Sequence, residues 1–120
     1  MKTVIFGASP NPQRYAYQAA FRLQQSGHEF VPLSIKRGEV FGEPIQDLRL
    51  LPAIQNVHTI TMYMNAAHQN EWFDYILSLT PKRIIFNPGA ENPRLFEKCL
   101  ELGISVENSC TLVMLSVGAY

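Results

Sequence analysis

The stretch Val4-Ile5-Phe6-Gly7-Ala8-Ser9-Pro10-Asn11-Pro12-Gln13-Arg14-Tyr15 decides how the rest of the chain is read. From Thr3 to Phe6 it is continuous and rich in β-branched residues, which suits a central strand buried on both faces of a sheet. Gly7 breaks the run. Pro10 and Pro12 forbid an early helix, and a helical pattern sets in near Gln13 or Arg14. A strand, a tight turn and a helix in this order turn backbone N–H groups and a helix N-terminus toward an anion. This is the layout of a phosphate-binding corner.

Working outward, the first helix carries Tyr15, Ala16, Ala19, Ala20 and Leu23 on one stripe and ends at Gly27, a good left-handed C′ residue. Phe30 to Leu33 reads as the second strand, with Pro32 near its end. Ser34-Ile35-Lys36-Arg37-Gly38 is a polar, basic turn. The irregular stretch from Glu39 to Val57 reads as a long connection with one helical turn around Asp47 to Leu51. His58 to Tyr63 alternates apolar with polar, which predicts a third strand with a more polar face, at a sheet edge. Asn65 is placed to cap the next helix, on which Trp72, Phe73, Ile76 and Leu77 form an apolar stripe. Lys82 to Phe86 is the fourth strand, and Asn87-Pro88-Gly89-Ala90 leaves it. Asn92-Pro93 is an N-cap with proline at N1, followed by a buried face of Leu95, Phe96, Cys99 and Leu100. Gly103 closes that helix, Ile104 to Val106 is a fifth short strand, and Cys110 to Val117 is apolar enough for a packed terminal helix.

Strands alternating with helices at this spacing predict an α/β fold, a Rossmann-like, doubly wound parallel sheet of five strands with helices on both faces. The expected order is 3-2-1-4-5, with residues 1–120 forming one domain. The switch point then falls between the first and fourth strands, and ligands bind there beyond the carboxyl ends of the strands.

Composition limits the function classes. Ten basic and ten acidic residues cancel, so no global field recruits nucleic acid or an anionic membrane. The longest apolar run near the start is too short for a signal segment or a membrane span. Two cysteines, Cys99 and Cys110, have no zinc or redox spacing and fit reduced thiols in a cytoplasmic protein. His28, His58 and His68 are scattered, so no metal site is expected.

Four loops should meet at the crevice: Gly7 to Arg14, Leu33 to Arg37, Met62 to Asn65, and Asn87 to Ala90. Gly7 allows a sharp turn, Ala8 is small enough for close approach, Ser9 adds a hydroxyl, and Arg14 offers a charged fork suited to phosphate. The turn is neither the dinucleotide fingerprint, because Gly7 is the only glycine before Gly27, nor a Walker loop. NAD binders place an acid after the second strand to hold the ribose. Here that position holds Ser34, Ile35, Lys36 and Arg37, two cations and no acid, which suits a phosphorylated ribose as in NADP or coenzyme A. Tyr63 and Met64 offer flat, soft surface for an adenine or a pantetheine arm. Pro88 and Gly89 allow another close approach. Cys110 reads first as a buried structural cysteine. No paired carboxylates or other acid–base machinery present themselves, so self-contained catalysis is not expected.

With these residues in view, the chain resembles the small stand-alone CoA-binding proteins, whose Rossmann-like domain is similar to that of acyl-CoA synthetases. The resemblance is carried by Val4 to Pro12 with Arg14 and Tyr17, by Leu23, by Gly27-His28-Glu29-Phe30-Val31-Pro32-Leu33, by Gly42-Glu43, by Glu101-Leu102-Gly103-Ile104 and by Cys110. It implies CoA binding without catalysis, with the pyrophosphate at Gly7-Ala8-Ser9 and with Arg14, Pro32 and Lys36 lining the same ligand. Ser34-Ile35 stands where the family usually has Asn-Pro, and Tyr63-Met64-Asn65 replaces a phenylalanine–arginine element. Asn108-Ser109 precedes Cys110 where an arginine is usual. Two positive charges are therefore missing from the ligand side. The competing readings are an NADP-dependent reductase or a subunit of an acyl-CoA ligase, and a regulatory protein with a vestigial nucleotide site. The expected partner is a small nucleotide ligand, with a homo-oligomer or an enzyme subunit as further associations.

Overall fold

The computed structural model describes residues 1–120. β1 (Lys2–Phe6) lies inside a six-stranded parallel sheet and feeds α1 (Tyr15–Gln25), which returns to β2 (Glu29–Ser34). A short antiparallel pair follows, β3 (Glu39–Val40) with β4 (Glu43–Pro44), then β5 (Gln46–Asp47) and a 3-10 turn at Leu48–Leu50. The second half runs through β6 (Val57–Met62), α2 (Ala66–Glu71), α3 (Phe73–Ser78), β7 (Arg83–Phe86), α4 (Pro93–Glu101), β8 (Ser105–Asn108) and α5 (Thr111–Ser116). The spatial order is β5-β2-β1-β6-β7-β8, a Rossmann-like α/β arrangement.

The expected sheet is corrected in two respects: it has six strands instead of five, and one strand changes its place in the order. The alternating strand at residues 57–62 is not at an edge. It pairs directly with β1, Thr3 opposite Thr59 and Phe6 opposite Met62. The edge beside β2 is taken by the two residues of β5, which pair with Leu33 and Ser34. The switch point therefore lies between β1 and β6, and the turn after β6 stands next to Gly7. The polar alternation misled because Thr59 and Thr61 are wholly buried rather than wet. Thr61 shares a 2.7 Å hydrogen bond with Thr111 on α5, and Thr59 accepts from Arg83 Nε at 3.0 Å.

The two sheet faces are packed by different helices. Val4, Phe6, Leu33, Ile60, Met62, Ile84 and Phe86 form the larger core with Ile76 of α3, Leu79 just past its end, and Leu95 and Cys99 of α4. Ile5, Ala8 and Phe30 meet Ala16, Ala20 and Leu23 of α1, with Leu115 and Tyr120 packed against them. The small residues of α1 let it lie close to the sheet. Tyr15, expected in that stripe, is instead 70% exposed. The helix expected around Trp72 is divided there, because Trp72 leaves helical geometry (φ −115°, ψ 16°). Asn65 and Asn92 cap their helices as expected, accepting from His68 N at 3.0 Å and Leu95 N at 3.2 Å.

Candidate ligand site

Beyond the carboxyl ends of β1, β2 and β6 lies a crevice of 450 Å³. Gly7 opens it. Its φ of +98° is available to glycine at no steric cost, and a Cβ there would stand 3.1 Å from the Tyr63 carbonyl carbon and 3.2 Å from Met64 N. The residue is therefore required both by the turn and by the loop crossing beside it. The N–H groups of Gly7 and Ala8 do not face the crevice as free donors. Both donate to Leu33 O, at 2.9 and 3.2 Å, which ties the turn to β2.

The donors left over lie slightly farther along. The backbone N–H groups of Ser9, Tyr15 and Ala16 have no partner in the chain, and the last two are the open N-terminus of α1. Buried Ser9 accepts from Asn11 N at 3.1 Å through its hydroxyl, which holds the loop in shape before the two prolines release it into the helix. Ser34 does the same at the end of β2, accepting from Lys36 N at 3.0 Å. These two serines shape loops.

Arg14, Lys36 and His68 all line the crevice, and no Asp or Glu does. Neither Arg14 nor Lys36 has a protein carboxylate within 4.0 Å, since the ion pairs are Lys2–Glu29, Arg49–Asp47 and Lys98–Glu101. Two uncompensated cations facing free N–H donors suit a multiply charged anion. The rest of the wall is Tyr15, Ile35, Tyr63, Met64, Asn65 and Pro88. Burial pushes the Tyr63 phenol well above its ordinary pKa, with Cys110 adding to the rise while Thr61 and Thr111 temper it, so the ring stays neutral.

Of the residues singled out in the sequence, Gly7, Ala8, Ser9, Arg14, Ser34, Lys36, Tyr63, Met64 and Pro88 are brought together here. Two are not. Pro32 is buried inside β2, paired with Ile5 and away from the crevice. Gly89 is exposed, and its N–H donates to Glu91 Oε1 at 2.8 Å. Arg37 also stays outside the lining. Ile35 and Asn65 line the crevice from loops expected to meet there without being singled out, and Tyr15, Ala16 and His68 lie outside the expected loops. Tyr15 and Ala16 follow directly on Arg14. His68 sits one helical turn beyond the Asn65 cap, so the spacing of an N-capped helix was the signal available.

Cys110 is half-buried at the N-cap of α5, not buried as expected, and lines a smaller chamber adjoining the crevice. Cys99 is the buried one, its thiol pushed up to about 11 by burial. A wider depression of 540 Å³ lies at the opposite end of the sheet around Lys2, Glu29, His58 and Lys82. It faces the amino ends of the strands, where sheets of this kind do not hold their ligands. No group of three or more His, Cys, Asp or Glu is placed to hold a metal, and no helix is long and apolar enough to cross a membrane.

An open α/β sheet with a basic crevice at its switch point defines a nucleotide-binding class of protein. Within that class the sequence matches the CoA binding domain over residues 1–116, and the chain belongs to that family. A crystal structure described only as that of an uncharacterized protein is 52% identical, with a TM-score of 0.95 over 99% of this chain and 97% of that one. A protein of Thermus thermophilus shares 20% identity with a TM-score of 0.85, covering 99% of this chain and 90% of the other. A hypothetical protein of Pyrococcus horikoshii OT3 shares 22% identity with a TM-score of 0.80, covering 96% and 81%. No curated protein matches the sequence.

Proposed function

We propose that the chain is a non-catalytic binding protein for coenzyme A and its thioesters. The pyrophosphate lies over the Gly7–Ser9 turn, held by the free N–H groups of Ser9, Tyr15 and Ala16 and by the Arg14 guanidinium. Lys36 receives the 3′-phosphate of the ribose. The observation that carries this reading is the crevice of a CoA-binding family member lined by Arg14, Lys36 and His68 and by no carboxylate. The same lining supports the non-catalytic half of the proposal. It contains no thiol or carboxylate, and Cys110 in the adjoining chamber has no His, Asp or Glu beside it among the lining residues.

Calorimetry with CoA, dephospho-CoA and NADP tests it. Arg14→Ala is expected to weaken CoA and dephospho-CoA alike by about tenfold, the usual worth of a charge-assisted hydrogen bond. Lys36→Ala should weaken CoA by a similar factor while leaving dephospho-CoA almost unmoved. Equal affinity of the native chain for CoA and dephospho-CoA would remove Lys36 from the 3′-phosphate. A preference for NADP would displace CoA as the ligand.

A further inference from the structure

The crevice does not end at Tyr63. Behind it a second chamber of 260 Å³ shares Tyr15, Tyr63 and Pro88 with the first and is completed by Asn87, Cys110 and Leu112. The shared wall makes the two neighbours, which puts a sheltered chamber beside an extended ligand anchored at Arg14 and Lys36.

The chemistry of this chamber differs from that of the crevice. It has no charged residue. The one amide, Asn87, is already engaged: its Nδ2 donates to Thr61 Oγ1 at 2.8 Å and to Met62 O at 2.9 Å, and its Oδ1 accepts from Thr111 N at 2.8 Å. The Tyr63 hydroxyl has no hydrogen-bond partner, but it is buried out of reach, so the tyrosine presents its ring and not its oxygen. What remains is two aromatic rings, a proline, a leucine and a thiol, and a thiol is a weak hydrogen-bonding group. Such a lining rewards an apolar end group and offers nothing to a polar one. Size sets the second limit. A dry cavity of about 150 Å³ holds a benzene ring. A chamber of 260 Å³ therefore takes a short acyl chain and cannot enclose a long one.

We infer that this chamber is a subsite for the short acyl group of a CoA thioester, making the chain selective for short-chain acyl-CoA over free CoA. The inference rests on the CoA reading of the crevice and adds to it the class of thioester.

Calorimetry on the full chain with CoA, butyryl-CoA and dodecanoyl-CoA separates the two claims. Butyryl-CoA is expected to bind about tenfold more tightly than CoA, because a few methylenes leave water, and dodecanoyl-CoA no more tightly than butyryl-CoA. If CoA binds and the butyryl group adds nothing, the subsite is overturned while the crevice stands. Affinity that rises steadily to dodecanoyl-CoA also overturns it, since the acyl group then lies on an unbounded surface. If none of the three binds, the crevice reading fails and the subsite fails with it. Leu112→Trp, which fills the chamber, should bring the ratio of CoA to butyryl-CoA dissociation constants close to one; an unchanged ratio counts against the proposal. Alkylation of Cys110 in the native chain needs no variant. Butyryl-CoA should slow it more than S-methyl-CoA does, a thioether with no thiol to consume the reagent, and equal rates with each ligand saturating would sink the subsite.

Discussion

The two faces of the sheet bury nearly the same strands by different physics. On the face covered by α3 and α4, Phe6, Ile60, Met62, Ile84 and Phe86 interlock with Ile76 and Leu95, all of them fully buried and apolar. On the face covered by α1 and α5, the row Thr3, Thr59 and Arg83 crosses three strands in register. There the threonine oxygens are satisfied one by one, Thr3 with the Tyr120 hydroxyl, Thr59 with Arg83, and Thr61 with Thr111 and Asn87, while the Tyr63 hydroxyl is buried on the same face without a partner. The first face gains from removing apolar surface from water and has little directional preference. The second gains little net from each hydrogen bond but loses heavily if one partner goes missing. It also holds α5 in place, and α5 carries Cys110 and Leu112 into the ligand side.

The sharpest way to break the comparison is to remove from each face what holds it, apolar volume from one and a hydroxyl from the other. Phe86→Ala on the apolar side leaves a cavity under α4 and should cost about 3–5 kcal/mol. Urea unfolding followed by circular dichroism measures it. A loss below about 1 kcal/mol would mean that this core is loosely packed and that the contrast drawn here is false.

Thr61→Val keeps the shape and removes only the hydroxyl. It orphans the Thr111 oxygen and one of the two bonds made by Asn87 Nδ2, for an expected cost of about 1–3 kcal/mol. The double variant Thr61→Val with Thr111→Val then sharpens the contrast. With both partners apolar, part of the loss should return, which no pair of changes on the apolar face would do. A double variant whose loss equals the sum of the two single losses would show that the two hydroxyls do not depend on each other.

This contrast also explains what was legible in the sequence. Val4 to Phe6 and Arg83 to Phe86 announce themselves because continuous apolar strands have one plausible home. The helix bounds at Asn65, Asn92, Gly27 and Gly103 were readable because caps are local. The place of His58-Thr59-Ile60-Thr61-Met62 was not. A buried threonine and a wet one look alike until the partner is known, and the partner of Thr61 is fifty residues away. At the crevice, residues flanking a recognisable turn are brought together, whereas Pro32 lies within β2 opposite Ile5 and outside the lining. That the Gly7 and Ala8 amides are tied to Leu33 O is a tertiary fact with no sequence trace.

Tyr120 allows a smaller cut. Its ring lies 4.6 Å from the Arg83 guanidinium carbon and packs 5.2 Å from His28, while its hydroxyl meets Thr3. Tyr120→Phe keeps the ring and removes the oxygen, leaving Thr3 without its partner, and should cost about 1 kcal/mol by the same unfolding measurement. No change would assign the corner to the ring alone.

The smallest effect is one of pH. His58 lies on β6 beside the polar row, its Nδ1 sharing a 2.8 Å hydrogen bond with Thr59 Oγ1. Burial, then the charges of Arg83 and Lys82, hold its pKa below the ordinary 6.5. In the unfolded chain that pressure is absent, so between the depressed value and 6.5 the unfolded state binds more protons than the folded one. Stability therefore rises with pH across that window. It is fully present above 6.5, falls as the pH drops through 6.5, and levels off below the folded pKa. His58→Gln keeps a polar group beside Thr59 and removes the proton site, so the slope of stability against pH in that window should flatten. The apolar face, which titrates nothing there, predicts no such slope, and an unaltered slope in the variant would mean that another group sets the acid limb.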